Sequence, residues 1–212
     1  MHRTGRWIRV AGLAVVLAAA LAACGGGNSS GGSAGSGGKK LKIALSNSFI
    51  GNKWRIEMVN TFKAACDMPP YKAQVDCSVF SSGNDVSKQT QQISNLISEH
   101  VDAIVIDAAS PTGLNGVVRQ ACQRHILVVS FDNIVTEPCA LKVNTDQVQF
   151  GKELAQFLVD KLNGKGNVIM VTGVAGTSVD ADRNKGALEV FKANPGIKVV
   201  GRYTGMWDSA IA

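Results

Sequence analysis

From Leu41 onward, short apolar runs alternate with helix-length amphipathic stretches. The runs cover residues 41–45, 75–80, 103–106, 126–131, 167–171 and 197–203. Several are apolar throughout rather than at every second position, which predicts parallel strands covered on both faces. Between them, Trp54, Met58 and Phe62 recur at i, i+4 and i+8, and Val86, Ile93, Leu96 and Ile97 fall on one helical face. A weaker helix is predicted over 113–125. Gly151, Leu154, Ala155, Leu158 and Leu162 mark a later one, which Asn163-Gly164-Lys165-Gly166 stops. This alternation predicts an α/β fold of doubly wound parallel sheets. The short extended segment Leu141-Lys142-Val143 followed by Asn144-Thr145-Asp146 reads as a crossing between domains. It divides an N-terminal α/β lobe over 40–143 from a second lobe over 144–212.

The first forty residues follow another pattern. Arg3, Arg6 and Arg9 precede an apolar run of 14 residues over 10–23 with no acidic residue. That run suits a signal peptide over 1–23 and falls short of the roughly 20 residues a membrane-spanning helix needs. Its end, Leu21-Ala22-Ala23-Cys24, resembles the lipobox of bacterial lipoproteins. The resemblance implies cleavage before Cys24 and lipid attachment to its thiol, and two acyl chains suffice for stable anchoring. Residues 25–38 are almost all Gly and Ser, so the segment from Cys24 to Lys39 reads as a tether. It should reach roughly 20 Å root-mean-square.

Composition narrows the function classes. The formal charge of +6 falls to +3 without Arg3, Arg6 and Arg9, leaving 19 basic residues against 16 acidic. No basic cluster exceeds Lys39-Lys40-Leu41-Lys42, so there is no nucleic-acid footprint. Four further cysteines, Cys66, Cys77, Cys122 and Cys139, allow three disulfide connectivities outside the cytoplasm. The favoured pairs are Cys66–Cys77 and Cys122–Cys139, each from the end of a helix to the following strand region. Cys122-x-x-His125 lacks a second pair of ligands at suitable spacing, and no metal or cofactor is expected.

In open parallel sheets, ligands lie beyond the carboxyl ends of the strands. There the chain places Ser46, Asn52, Trp54 and Arg55 after the first strand, Asp107 after the third, and Asp132 and Asn133 after the fourth. The turn Gly173-Val174-Ala175-Gly176-Thr177-Ser178, with Arg183 beyond it, follows the first strand of the second lobe. Trp207 and Asp208 follow the last run. Planar amides, carboxylates, guanidiniums and indoles suit a polyol, whose hydroxyls they bridge and whose C–H face an indole covers. Asp180 and Asp182 read as helix N-terminal acids rather than metal ligands. The chain lacks a dinucleotide-binding glycine motif, a phosphate-binding loop and a nucleophile elbow, which argues against an enzyme. A repressor would need a helix-turn-helix where the leader and tether stand.

Over residues 40–212 the sequence resembles type I periplasmic-binding proteins, the ribose-binding-like branch that serves sugar importers. The Gly173–Ser178 turn with Arg183 and Gly186 carries the resemblance most specifically. Ser46 and Asn52-Lys53-Trp54-Arg55 match the first binding loop, Asp132 a carboxylate that accepts from ring hydroxyls, and Asn144-Thr145-Asp146 the first hinge crossing. Trp207-Asp208 matches the aromatic position before the next helix. Asn133 stands where Arg is frequent, and Arg55 where an aromatic residue is common. The resemblance implies an extracytoplasmic, monomeric lipoprotein held to the membrane by Cys24. Two lobes would close on a sugar or polyol and present it to the permease of an ABC importer. A receptor of the same fold signalling to a sensor or chemoreceptor is an alternative. The resemblance also implies further strands in a complete second lobe, so a C-terminally truncated receptor or remnant is expected, with an unpaired sheet edge and uncovered apolar faces.

Overall fold

The structure, a computed structural model, describes residues 38–212. The expected signal peptide, Cys24 and almost all of the tether lie outside the described residues. The first unit runs β1 (Leu41–Asn47), α1 (Lys53–Asp67), β2 (Val75–Ser81), α2 (Val86–Ser98), β3 (Ala103–Asp107), α3 (Asn115–Gln123), β4 (Leu127–Phe131) and β5 (Leu141–Val143). Its strands form one parallel sheet in the order β2-β1-β3-β4-β5. The chain steps from β1 to β2 on one side and then crosses back to β3, so the winding reverses between β1 and β3. At such a reversal the connections diverge and leave a crevice outside the strand ends.

Local chemistry sets the helix starts. Asn52, Asp85 and Asp146 each accept a backbone N–H three residues on, from Arg55 (2.8 Å), Lys88 (2.9 Å) and Gln149 (2.8 Å). The continuous apolar runs of β1, β3 and β4 bury Ala44, Ile104, Ile106 and Val128 against Ile93 and Leu96 of α2 and Val118 of α3. On α1 the buried residues are Arg55 and Val59, whereas Trp54 lies about half exposed at 52%. The Trp54/Met58/Phe62 stripe is therefore offset from the face that packs.

Past Asn144–Asp146 the chain continues as α4 (Gln147–Lys161), β6 (Gly166–Thr172), α5 (Ser178–Ala193) and β7 (Ile197–Thr204), with β6 and β7 paired in parallel. Ala155, Val159, Val168, Phe191 and Ile197 form a small core. Helices α4 and α5 touch backbone to backbone. A Cβ on Gly151 would meet the Arg183 carbonyl, and one on Gly186 the Val148 carbonyl. This corrects the predicted α4 stripe: Gly151, Ala155 and Val159 are buried, while Leu154, Leu158 and Leu162 are exposed. Ile169, Val171 and Tyr203 are exposed as well, so apolar surface is uncovered around β6 and β7.

The cysteines pair as Cys66–Cys77, joining the end of α1 to β2, and Cys122–Cys139, joining the end of α3 to the segment before β5. The latter spans 17 residues. Closing a loop of that size removes about 3 kcal/mol of unfolded-chain freedom. A Cys122→Ser/Cys139→Ser variant of the full-length protein should lose about that much stability. Urea unfolding checks this, and an unchanged midpoint would count against it.

Candidate functional site

A cavity of about 280 Å³ opens outside the carboxyl ends of the strands, lined by Asn52, Trp54, Arg55, Asp132, Val179, Arg183 and Trp207. Both sheets contribute. Asn52, Trp54 and Arg55 come from the start of α1 after β1, and Asp132 from the end of β4. Val179 and Arg183 stand on the first turns of α5, and Trp207 follows β7.

Arg55 is 4% exposed. Its Nη1 donates to the Asp107 carboxylate, with which it forms a buried ion pair, and to Asn47 Oδ1 at 2.8 Å. Its Nη2 lies 3.7 Å from Asp132 Oδ2. The Trp54 ring lies 5.3 Å from the guanidinium. Burial pulls the Arg55 guanidinium down to about 10, opposed by the Asp132 charge. Desolvation raises Asp132 above the usual carboxylate value, while Arg55 and Arg183 pull it back. Arg183 is lowered, first by burial, with Asp132 again opposing. Its Nε donates to Gln147 Oε1 at 2.8 Å, and its guanidinium stands 4.5 Å from the Phe150 ring and 5.5 Å from that of Trp207. Asp132 thus lies beside the Arg55 guanidinium and in the field of the Arg183 one, and each guanidinium has an aromatic ring and a hydrogen-bond acceptor next to it.

Asp132 (φ +51°), Met206 (φ +55°) and Trp207 (φ +59°) have left-handed backbones. Such conformations cost about 1–3 kcal/mol apiece for these residue types and persist only where surroundings enforce them. The Asp132 amide donates to Val143 O at 3.3 Å, and the Trp207 carbonyl accepts from Asn52 Nδ2 at 3.0 Å. Gly173 has a definite role here, because a Cβ there would collide with the Trp207 indole.

Four expected ligand residues do not line the cavity. Ser46, Asp107 and Asn133 are buried beneath it with their polar atoms already engaged. Ser46 Oγ accepts from Gln89 Nε2 at 3.1 Å, Asp107 holds Arg55, and Asn133 Nδ2 donates to Asp107 Oδ1 at 3.0 Å. Asp208 turns away, accepting the Ala210 N–H at 2.8 Å beside Thr172 and Gly205. Sequence reasoning missed Gln89, Gln147 and Phe150. Gln89 is fully buried, takes the Ala109 N–H at 2.8 Å and donates to the Asp107 carbonyl at 3.0 Å. Asp180, expected at a helix start, is in the first turn of α5 and accepts the Gly173 N–H.

The family described as periplasmic binding protein domain matches residues 43–212. The chain belongs to this family. The xylitol-binding protein of Mycolicibacterium smegmatis is 34% identical over 134 residues, 62% of this chain and 38% of that protein. The galactofuranose-binding protein YtfQ of Escherichia coli is 29% identical over 157 residues, 72% of this chain and 48% of its own. Among solved structures, an ABC transporter solute binding protein from Thermobispora bispora superposes with a TM-score of 0.77 at 35% identity, covering 81% of this chain and 54% of that one. The chain therefore spans about half the length of these relatives or less. Within the periplasmic binding protein domain family these relatives are substrate-binding proteins rather than enzymes.

Proposed function

We propose that this chain binds an uncharged sugar or polyol between two lobes, divided near Asn144, which close on it. The loaded protein then presents the solute to the permease of an ABC importer. The observation that carries this reading is Asp132, 3.7 Å from the Arg55 guanidinium and within the field of Arg183, in a cavity that all three line and to which both sheets contribute. Arg55 and Arg183 are balanced by Asp107 and Asp132, so a neutral solute adds no unpaired charge. Forked guanidiniums donate to hydroxyls, Asp132 accepts from them, and the exposed Trp54 ring offers an apolar face. The solutes named for the relatives, xylitol and galactofuranose, belong to the same chemical class. Export and attachment through a lipidated Cys24 complete the proposal, keeping the receptor beside its permease.

Titration calorimetry on the full-length protein with xylitol, D-ribose, D-allose and a methyl galactofuranoside tests this reading. Micromolar binding of at least one is expected. Binding of none of them, or a preference for a phosphorylated or acidic sugar, would overturn it. Affinity should also depend on acid. The ionised Asp132 accepts solute hydroxyls, and its midpoint lies above 3.8, so binding should weaken as pH falls through that raised value. In the empty protein the sign reverses. The raised midpoint adds stability at low pH, and this is lost as pH rises through it. An affinity independent of pH down to the ordinary aspartate range would remove Asp132 from the solute's partners.

A further inference from the structure

Helix α5 begins differently from α1, α2 and α4. Its N-cap residue, Thr177, makes no capping bond, because the Thr177 hydroxyl donates to the Val174 carbonyl at 2.8 Å. One of the two N–H groups that a cap can satisfy, that of Val179 two residues on, donates instead to Asn133 Oδ1 at 3.2 Å. Asn133 follows β4 in the other sheet, and it is 1% exposed. One residue along, the Ile134 N–H donates to Ser178 Oγ at 2.9 Å. Two backbone amides, one from each side, are thus each satisfied by a side chain of the opposite side. The amide group of Asn133 is also tied downward, donating to Asp107 Oδ1 at 3.0 Å and Asp132 Oδ2 at 3.3 Å.

We propose that Asn133 is a positioning residue that caps α5 across the cleft, so that closure of the two lobes orders the helix turn carrying Arg183. This rests on the closing-cleft reading above. When the lobes part, Val179 loses its acceptor and the start of α5 is left uncapped, because Thr177 is turned toward Val174. When they meet, the cap forms and places Arg183, one turn further on, at the cavity that Asp132 also lines. Asn suits the task because it offers a donor to two carboxylates and an acceptor to an N–H at once. A carboxylate could take the Val179 N–H but would face Asp107 and Asp132 as a like charge.

The test is backbone amide exchange at Val179 and Ile134 in the full-length protein without added solute. Asn133→Ala should speed exchange at Val179 by about fivefold or more, the factor a lost cap typically represents. The Ile134 rate should change far less. Ser178→Ala should do the reverse. Asn133→Asp should keep Val179 slow while lowering stability through the crowded carboxylates, which separates capping from support of the Arg55 pair. Equal Val179 rates in wild type and Asn133→Ala would overturn the proposal. With xylitol or D-ribose added, both amides should slow further in wild type, and the probe should leave Asn133→Ala about fivefold faster. If a probe binds and neither amide slows, the coupling to closure fails although the binding function stands. If neither probe binds, the choice of solute fails, and the solute-free comparison still decides the cap.

Discussion

Replacing Arg55 by Ala should cost about 3–5 kcal/mol of stability, the usual penalty for leaving one member of a buried ion pair alone. Asp107 has no exposed surface, and without Arg55 its carboxylate keeps, among the described residues, only the Asn133 amide as a side-chain donor. Asn47 Oδ1 loses its 2.8 Å partner in the same step, and Asp132 loses one of its two neighbouring cations. Urea unfolding of the full-length protein reads the effect directly. A double variant, Arg55→Met with Asp107→Asn, removes both charges and keeps much of the volume. It should recover a large part of the loss, because a buried pair contributes little net stability over an apolar replacement. If the double variant is as unstable as Arg55→Ala, lost packing rather than an orphaned carboxylate sets the cost. Solute binding should stay impaired in both, since the Nη2 that faces Asp132 is gone in each.

The order of strands and helices was legible because parallel strands buried on both faces leave continuous apolar runs, and amphipathic helices separate them. The helix faces were less so. Large side chains dominate any periodicity, and where two helices approach backbone to backbone the packed face belongs to small residues. Gly151, Ala155 and Gly186 therefore lie at the α4–α5 contact while Leu154 and Leu158 look outward. The site shows a similar division. Strand ends mark which residues gather near the crevice, but not which reach it and which lie a layer below. Ser46 and Asp107 lie at the ends of β1 and β3 and are fully buried, whereas Trp54 and Arg55, in the first turn of α1, reach the cavity. Gln89 had left a signal. It is a polar residue on the apolar face shared by Val86, Ile93 and Leu96, and its buried amide bonds both strand ends. Gln147 had none, because its role depends on Arg183, 36 residues away in sequence.

Arg183→Ala should abolish solute binding, with an affinity loss of at least about a hundredfold, and leave stability nearly unchanged. The loss follows from two charge-assisted hydrogen bonds at about 1.5–3 kcal/mol each. Stability is largely spared because Arg183 is only part-buried; Gln147 Oε1 loses its donor, but Gln147 Nε2 still fixes that side chain by donating to Asn144 Oδ1 and Thr145 Oγ1 at 3.1 and 2.9 Å. Arg183→Lys should rescue little. An ammonium keeps the charge beside Asp132 but cannot lie as a plane between Phe150 and Trp207 while presenting a fork to the cavity. Calorimetry on both variants, with unfolding curves alongside, distinguishes this residue from Arg55, whose loss should remove folding stability and binding together. Binding by Arg183→Ala within threefold of wild type would take the guanidinium out of the site. A stability loss as large as that of Arg55→Ala would make Arg183 a strut of the α4–α5 contact, and the solute would then have to be held by Asp132, Arg55 and Asn52.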